Sequence, residues 1–151
     1  MNDYRDGNKL DLGILLRSLS HAGRVAESQL DHALASHGLS ITRLGVLKAL
    51  AESEGPLTLS QIAGRLACVR SNVTQLIDSM ETSGLVRRVP DPEDRRSIRA
   101  EITGEGCKKF AAGLEEETKV ERELFNKLST EEQAQLQKLL RRFSDSLRQM
   151  V

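Results

Sequence analysis

The sequence predicts a mostly α-helical fold with one small β-hairpin. Apolar side chains recur every three or four residues over most of the chain, which is the spacing of one helix face. Residues that cap helices, among them Ser40, Thr103 and Ser129, stand directly before several of these stretches. The segment between residues 85 and 102 differs, because two strand-like runs flank a turn rich in Asp and Pro.

The N-terminal part of the chain is predicted to be one long helix after a polar, frayed start. Residues 1–9 are polar, and the helix runs from Leu10 to about Ser36, where His37-Gly38 ends it. Its apolar positions are Leu12, Leu15, Leu19, Ala22, Ala26 and Ala33, widened by Ile14, Val25 and Leu30. So much apolar surface indicates a partner beyond the helix's own small domain.

Two shorter helices are predicted next. The second helix is capped by Ser40 and runs from Ile41 to about Ala51, with inward positions Leu44, Val46, Leu47 and Leu50. A turn at residues 54–56 leads to the third helix. This helix opens at Thr58, because Thr58 and Gln61 have the spacing of a capping box. Its apolar positions are Ile62, Ala63 and Leu66.

The fourth helix carries an apolar stripe on one side and short polar side chains on the other. The stripe consists of Val69, Val73, Leu76, Ile77 and Met80, and Gly84 ends the helix. Off the stripe, near the N-terminus, lie Arg70, Ser71, Asn72 and Gln75. Because Asn and Gln pair with adenine and Arg with guanine or phosphate, we predict the recognition helix of a helix-turn-helix. The alternative is an ordinary amphipathic helix.

The hairpin that follows is predicted to be a basic wing. A strand over residues 85–89 stops at Pro90, residues 91–94 form a turn, and Ile98, Ala100 and Ile102 share one face of the returning strand. Its arginines are Arg87, Arg88, Arg95, Arg96 and Arg99, which predicts a local positive field although the formal net charge of the chain is zero. The alternative is a solvated hairpin that uses Arg for solubility.

Within the wing, residues 94–96 are predicted to divide structural and DNA-binding roles. The Asp94-x-Arg96 spacing suggests that Asp94 pairs with a wing arginine and holds the loop in shape. Arg95 at the tip would then point outward, where it suits a narrow, electronegative minor groove. Arg96 would be shared between loop structure and phosphate contact.

The C-terminal part is predicted to be two helices. Thr103 caps the first, whose apolar positions are Phe110, Ala111, Leu114, Leu124, Phe125 and Leu128. A capping box at residues 129–132 starts the last helix, whose stripe is Leu136, Leu139, Leu140, Phe143, Leu147 and Met150. A small core could not bury both terminal stripes, so we predict a two-fold homodimer. The predicted divisions are 1–38 and 104–151 for dimerisation and 39–103 for DNA binding.

The wing region also resembles a known family. Asp94-x-Arg96, five residues, and then Ile102-Thr103-x-x-Gly106 resembles the signature of the MarR family of winged helix-turn-helix transcriptional regulators. The preceding SNVTQLIDSMETSGLVRR is similar to that family's recognition helix and the start of its wing. One departure is Val69, where such sequences often place a capping Ser. Ser71 could take over as the cap and start the helix about two residues later.

Together these features predict a winged helix-turn-helix homodimer that binds double-stranded DNA at a pseudo-palindromic site. Asn72 and Gln75 are the candidates for base readout, and Ser71 and Thr74 for phosphate or base contacts. The DNA backbone is expected to be contacted by Arg70, Arg87 and Arg96. The resemblance also implies a repressor that a small phenolic or other anionic effector relieves, although the sequence nominates no effector site.

Other functional classes receive little support from the 151 residues. No apolar run is long enough to span a membrane and no signal-peptide core is visible, so a cytoplasmic protein is expected. His21, His32 and His37 lack the spacing of zinc ligands, no catalytic constellation stands out, and no cofactor or enzymatic activity is predicted. Cys68 and Cys107 are expected to be small core residues; the alternative is a redox switch, favoured if Cys107 is an exposed thiol near a helix N-terminus. A winged-helix module that binds protein rather than DNA is the remaining rival.

Overall fold

The computed structural model describes residues 11–66, 70–94 and 96–149, with residues 70 and 71 described by their backbone alone. It confirms the mostly helical fold with a small sheet. The elements in chain order are α1 (Leu12–Ala35), α2 (Ile41–Ala51), β1 (Leu57–Thr58), α3 (Leu59–Leu66), α4 (Arg70–Thr82), β2 (Val86–Pro90), β3 (Ile98–Ile102), α5 (Gly104–Phe125) and α6 (Thr130–Arg148). Within the described residues, every helix is too short or too polar to cross a bilayer.

The predicted N-terminal caps and the predicted C-terminal glycines of the helices are both confirmed. Ser40, Thr103 and Ser129 cap α2, α5 and α6, and the Ser129 cap is completed by a reciprocal bond to the Glu132 side chain. Gly38 and Gly84 end α1 and α4 at φ values of 70° and 74°. A left-handed backbone favours glycine, and the next amide in each case bonds back to the last turn, as in a Schellman motif.

The sheet has one strand more than the sequence predicted. The strand order is β1-β3-β2, with Leu57 opposite Ala100 and Arg88 opposite Ala100 on its other side. The two-residue strand β1 was missed because Thr58 is also the cap of α3, where its amide and hydroxyl exchange bonds with Gln61 at 2.8 and 3.2 Å. The sheet thereby ties the wing directly to the start of α3.

One apolar core lies between α2, α3, α4, the sheet and the end of α1. All predicted inward residues of α2 are buried, as are Val73, Ile77 and Met80 of α4. The buried residue of α1 is Leu34, which the predicted stripe did not include. Gly113 of α5 lies against this core, since a Cβ there would stand 2.7 Å from Leu44 and 2.9 Å from Leu39. A larger residue at this position would force these leucine methyl groups to shift.

The terminal helices leave most of their predicted stripes uncovered in the single chain. No residue of α6 within its described range is buried, and Leu12 of α1 is 72% exposed. Other exposed apolar side chains are Ile14, Leu15, Leu16, Val25, Leu139, Leu140, Phe143 and Leu147. In α5, Ala111 and Phe125 are exposed rather than inward. Met150 lies outside the described residues.

Candidate nucleic-acid interface

Helix α4 presents the predicted polar face to solvent. Asn72, Thr74 and Gln75 are exposed, while Val73 and Ile77 are fully buried on the opposite side. Within the described contacts, the side-chain amides of Asn72 and Gln75 make no hydrogen bond to the protein. Their donors and acceptors are therefore available to a ligand that lies across the helix.

The start of α4 differs from the prediction. The helix begins at Arg70, two residues earlier than a cap at Ser71 would give, so Ser71 lies in the first turn and that capping alternative is wrong. Val69, which stands at the capping position, is outside the described residues, and the side chains of Arg70 and Ser71 are likewise not described. Their predicted contacts with DNA remain predictions.

Two arginines hold α4 from neighbouring elements. Arg88 of β2 forms an ion pair with Asp78 and a second one with Glu81 at 3.4 Å, and its amide donates to Glu81 at 2.9 Å. Arg43 of α2 donates to the Ser79 hydroxyl at 2.5 Å. These contacts fix the exposed face of α4 relative to both the wing and α2.

The wing is held by a different ion pair from the one predicted. Arg99 Nε lies 3.0 Å from Asp91 Oδ2, and this carboxylate is 6% exposed. The guanidinium also lies 3.8 Å from Glu93 and 3.5 Å from the Pro56 carbonyl. The Arg99 side chain therefore joins the wing loop to the turn that precedes β1.

Asp94 stabilises the loop through hydrogen bonds to the backbone. Its carboxylate accepts the Arg96 amide at 2.9 Å, and its carbonyl accepts the Ser97 amide at 2.9 Å. Within the described residues Asp94 forms no ion pair, and Arg95 lies outside them, so its predicted pairing with a wing arginine remains a prediction. The spacing belongs to a local turn, which short acidic side chains favour.

The ion pair between Asp91 and Arg99, called here the Asp91 clamp, shifts the pKa of both groups. The neighbouring Arg99 guanidinium, followed by the Glu93 amide that donates at 3.0 Å, holds the pKa of the Asp91 carboxyl below its ordinary value of 3.8. Burial opposes this effect but is outweighed. The same carboxylate raises the pKa of Arg99. Both groups are therefore charged throughout the neutral range.

The positive field of the wing is weaker than five arginines predicted. Arg87 pairs with Glu101, and Arg88 and Arg99 pair with the carboxylates already described. The Arg96 side chain is exposed and forms no ion pair or hydrogen bond with the described part of the chain. Arg95 lies outside the described residues, so its placement at the tip stays a prediction.

Cys107 and His37 belong to α5 and to the turn after α1, outside α4 and the wing. Cys107 in the first turn of α5 is exposed, so the interpretation of it as a core residue is wrong for the single chain. Cys68 is outside the described residues. His37 lies 3.8 Å from Glu116 of α5, whose pKa the Lys119 ammonium lowers. Within the described ranges, no cluster of three His, Cys, Asp or Glu side chains could hold a metal ion.

The sequence interpretation missed the roles of Arg43, Asp78 and Asp91, and it counted Arg99 as a source of positive field rather than as the partner of Asp91. Arg43 acts through Ser79, 36 positions later, and Asp78 through Arg88 on another element, so no local spacing marks them. Asp91 and Arg99 meet across the hairpin, which requires the register of its two strands. Asp78 carried one usable signal, since an acidic residue on a face that meets phosphate requires a compensating cation.

The sequence of this chain is similar to a family model and to known transcriptional regulators. A family model described as MarR family matches residues 37–97. The transcriptional regulator HosA of Escherichia coli O111:H- is 33% identical over 110 residues, which cover 72% of this chain and 79% of HosA. The regulator PecS of Dickeya dadantii is 29% identical over 136 residues, covering 89% of this chain and 82% of PecS.

Solved structures show the same fold over nearly the whole length. The MarR family regulator AbsC from Streptomyces coelicolor has a TM-score of 0.82 at 26% identity, covering 98% of this chain and 99% of AbsC. Sco3205 from the same organism, a MarR family regulator solved in complex with DNA, has a TM-score of 0.81 at 28% identity. That alignment covers 89% of this chain and 90% of Sco3205.

Proposed function

Because this chain belongs to the MarR family of DNA-binding transcriptional regulators, we propose that its homodimer binds a pseudo-palindromic operator through α4 and the wing. In each protomer α4 enters a major groove, and the wing reaches the flanking minor groove. Residues 39–103 form the DNA-binding region, and residues 1–38 and 104–151 form the dimerisation region. Two-fold symmetry then puts the half-site centres about 10 bp apart.

The observation that carries this proposal is the exposed polar face of α4 beside the wing. The amides of Asn72 and Gln75 have no hydrogen-bond partner among the described residues, and the helix that bears them is anchored by buried Val73 and Ile77. A rigid helix with available amides suits base edges, because a bidentate Asn or Gln contact discriminates adenine. Thr74 on the same face contacts phosphate or base.

The charged residues of the interface contribute affinity rather than sequence preference. Arg96 is exposed beside the loop and contacts phosphate, as does Arg70 at the start of α4. Arg87 contributes less, since Glu101 already neutralises it. For Arg95, its position at the predicted wing tip supports a minor-groove contact.

Dimerisation is supported by the apolar surfaces of the terminal helices. Leu139 and Phe143 of α6 are 51% and 42% exposed in the single chain, and Leu12 and Leu15 of α1 are also exposed. A second copy that packs α1 and α6 against their equivalents would cover these side chains. The operator-bound dimer represses transcription, and a small phenolic or other anionic effector releases it, as the family resemblance implies.

The first test is selection of bound duplexes from a random pool by the purified protein, followed by titration of the winners at two salt concentrations. Recovery of a palindromic sequence, with affinity that falls steeply with salt, is the expected result. Failure of a folded dimer to enrich any duplex, even after refolding without ligand, would contradict the proposal and favour a protein-binding role.

Matched variants then separate base contacts from phosphate contacts. Asn72→Ala and Gln75→Ala should each weaken binding to the selected operator by about tenfold or more while non-specific binding stays unchanged. Gln137→Ala, which removes an exposed amide from α6, is the control. Arg96→Ala should instead weaken all duplexes alike and reduce the salt slope by about two, since each protomer of the dimer loses one phosphate contact.

A further inference from the structure

The Arg43 side chain joins the end of α1 to the exposed side of α4. Its Nη1 atom donates to the Gly38 carbonyl at 3.0 Å, and its Nη2 atom donates to the Ser79 hydroxyl at 2.5 Å. The residue itself sits in the first turn of α2 and is half-buried. Because a guanidinium is planar and its donors form a rigid fork, it holds the two partners at a fixed relative position.

Both partners of Arg43 lie on well-anchored backbone. Gly38 belongs to the left-handed turn that ends α1, where the Leu39 amide donates to the Leu34 carbonyl at 3.1 Å and both leucines are buried. Asp31 of α1 also accepts the Ile41 amide at 2.7 Å, so α1 and α2 are joined twice. Because Gly38 lies on rigid backbone, the Arg43 side chain can relate the orientation of α1 to that of the helix at its other end.

The other end of the bridge is equally constrained. Ser79 stands between Ile77 and Met80 on α4, and both of these side chains are fully buried. This packing fixes the α4 backbone at Ser79, so the bond from Arg43 joins α2 to a helix that moves as a unit. The bond therefore couples the position of α4 to the Arg43 side chain.

We propose that Arg43 is a positioning residue that sets the separation and orientation of the two α4 helices in the dimer, and through them the preferred half-site spacing. This inference rests on the proposed function. The terminal helices fix each protomer to the two-fold axis, so the placement of α4 relative to α1 decides where each recognition helix meets DNA. One added base pair moves a half-site by about 3.4 Å along the duplex and rotates it by about a tenth of a turn.

Arg43 is better suited to this role than to a direct phosphate contact. Two of its five N–H groups already donate within the protein, which holds the guanidinium between Gly38 and Ser79 and leaves three N–H groups for any phosphate. A phosphate contact and a positioning contact also differ in what they change. Loss of the first lowers affinity for all spacings and flattens the salt dependence, whereas loss of the second changes the ratio of affinities between spacings.

The first experiment compares duplexes that carry identical half-sites and differ only in spacer length. The parent protein should prefer one length by about tenfold over duplexes one base pair longer or shorter. Arg43→Met should reduce this preference to about two- to threefold, and Ser79→Ala should reduce it in the same direction by a smaller factor. Met preserves the length of the side-chain stem and removes the fork of donors.

Arg65→Met is the matched control. Arg65 of α3 also donates to a backbone carbonyl across the domain, that of Ala49 at 2.8 Å, and among the described residues it forms no hydrogen bond or ion pair with α1 or α4. Its loss should lower stability while the spacing preference persists. If Arg43→Met and Ser79→Ala both keep the parent's ratio of affinities, whatever their absolute affinity, the positioning role is overturned. Arg43→Lys, which supplies a point charge without the fork, replaces Arg43→Met if the latter does not fold.

A second measurement needs no DNA. A spin label at Gln75→Cys, with Cys68→Ser and Cys107→Ser to remove the native thiols, reports the distance between the two α4 helices of the dimer. Arg43→Met in this background should broaden or shift the distance distribution, and Arg65→Met should not. An unchanged distribution in Arg43→Met would overturn the inference. A shifted distribution in a protein that binds no duplex would retain it as a description of the dimer while the proposed function fails.

Discussion

Helices α4 and α6 both carry clear apolar stripes, yet their surroundings are opposite. In α4 the side chains of Val73, Ile77 and Met80 are fully buried by the same chain. In α6 no described side chain is buried, although its stripe has the more regular spacing in the sequence. Periodicity therefore predicts that a helix is amphipathic, but not whether its own chain or a second copy covers the apolar face.

The largest expected effect comes from the covered helix. Ile77→Ala removes a fully buried side chain from the core and should lower the free energy of unfolding by about 3 kcal/mol, the cost of lost burial plus the cavity left behind. Urea denaturation followed by circular dichroism measures this change. Because the contacts are within one chain, the loss should be the same at every protein concentration, and a concentration-dependent loss would contradict this assignment.

A smaller and different effect is expected in the uncovered helix. Phe143→Ser removes an apolar side chain that is 42% exposed in the single chain, and should weaken dimerisation by about 2 kcal/mol per protomer if a second copy covers it. Sedimentation velocity over a dilution series measures the shift. Ser144→Ala, a neighbouring change on the same helix, is the control. An unaltered dimer in Phe143→Ser would exclude α6 from the interface.

The smallest expected effect concerns the ion pair between Asp91 and Arg99, which lies within the wing of one chain. Asp91 has a lowered pKa in the folded chain, so its contribution to stability is present above its ordinary value of 3.8 and is lost as pH falls through the lower folded value. Asp91→Asn should therefore reduce stability at neutral pH and remove part of the acid dependence below about pH 4.

Thermal unfolding of Asp91→Asn from pH 7 to pH 3, at two protein concentrations, measures that difference. The change should not depend on concentration, since Asp91 and Arg99 belong to the same wing. Asp94→Asn is the comparison variant, because among the described residues its carboxylate accepts the Arg96 amide and forms no ion pair. An acid dependence identical to that of the parent would rule out the clamp as a contributor to stability.

The sequence predicted those features that local chemistry determines. Helix caps and ends depend on one residue and its near neighbours, so Ser40, Gly38 and Gly84 could be placed correctly. The exposed face of α4 followed from periodicity alone. The burial of Leu34 did not, because it depends on α5 crossing at Gly113.

The interface was predicted less completely than the fold, for the same reason. Arginine content indicated a positive wing, but a count of arginines cannot show that carboxylates on other elements, such as Asp78 on α4, neutralise some of them. The Asp94-x-Arg96 spacing indicated a structured loop, in which the Asp94 carboxylate accepts the Arg96 amide, but it did not indicate the ion pair between Asp91 and Arg99. Pairing between distant charged groups depends on tertiary geometry, which spacing does not contain.

The hydrogen bond from the Arg88 amide to Glu81 also protects one edge of the sheet against pairing with a further strand. β2 is an edge strand, and along an antiparallel strand the outward amides alternate, so Val86, Arg88 and Pro90 face away from β3. Glu81 occupies the second of these amides, and proline at the third has none.

The opposite edge is protected in the same manner. β1 has two residues, and Gln61 occupies the Thr58 amide. Neither margin offers a further chain a continuous row of free donors, which is the template on which strands of separate molecules pair and aggregate. The exposed wing is thereby protected against pairing with other copies of the chain through its backbone.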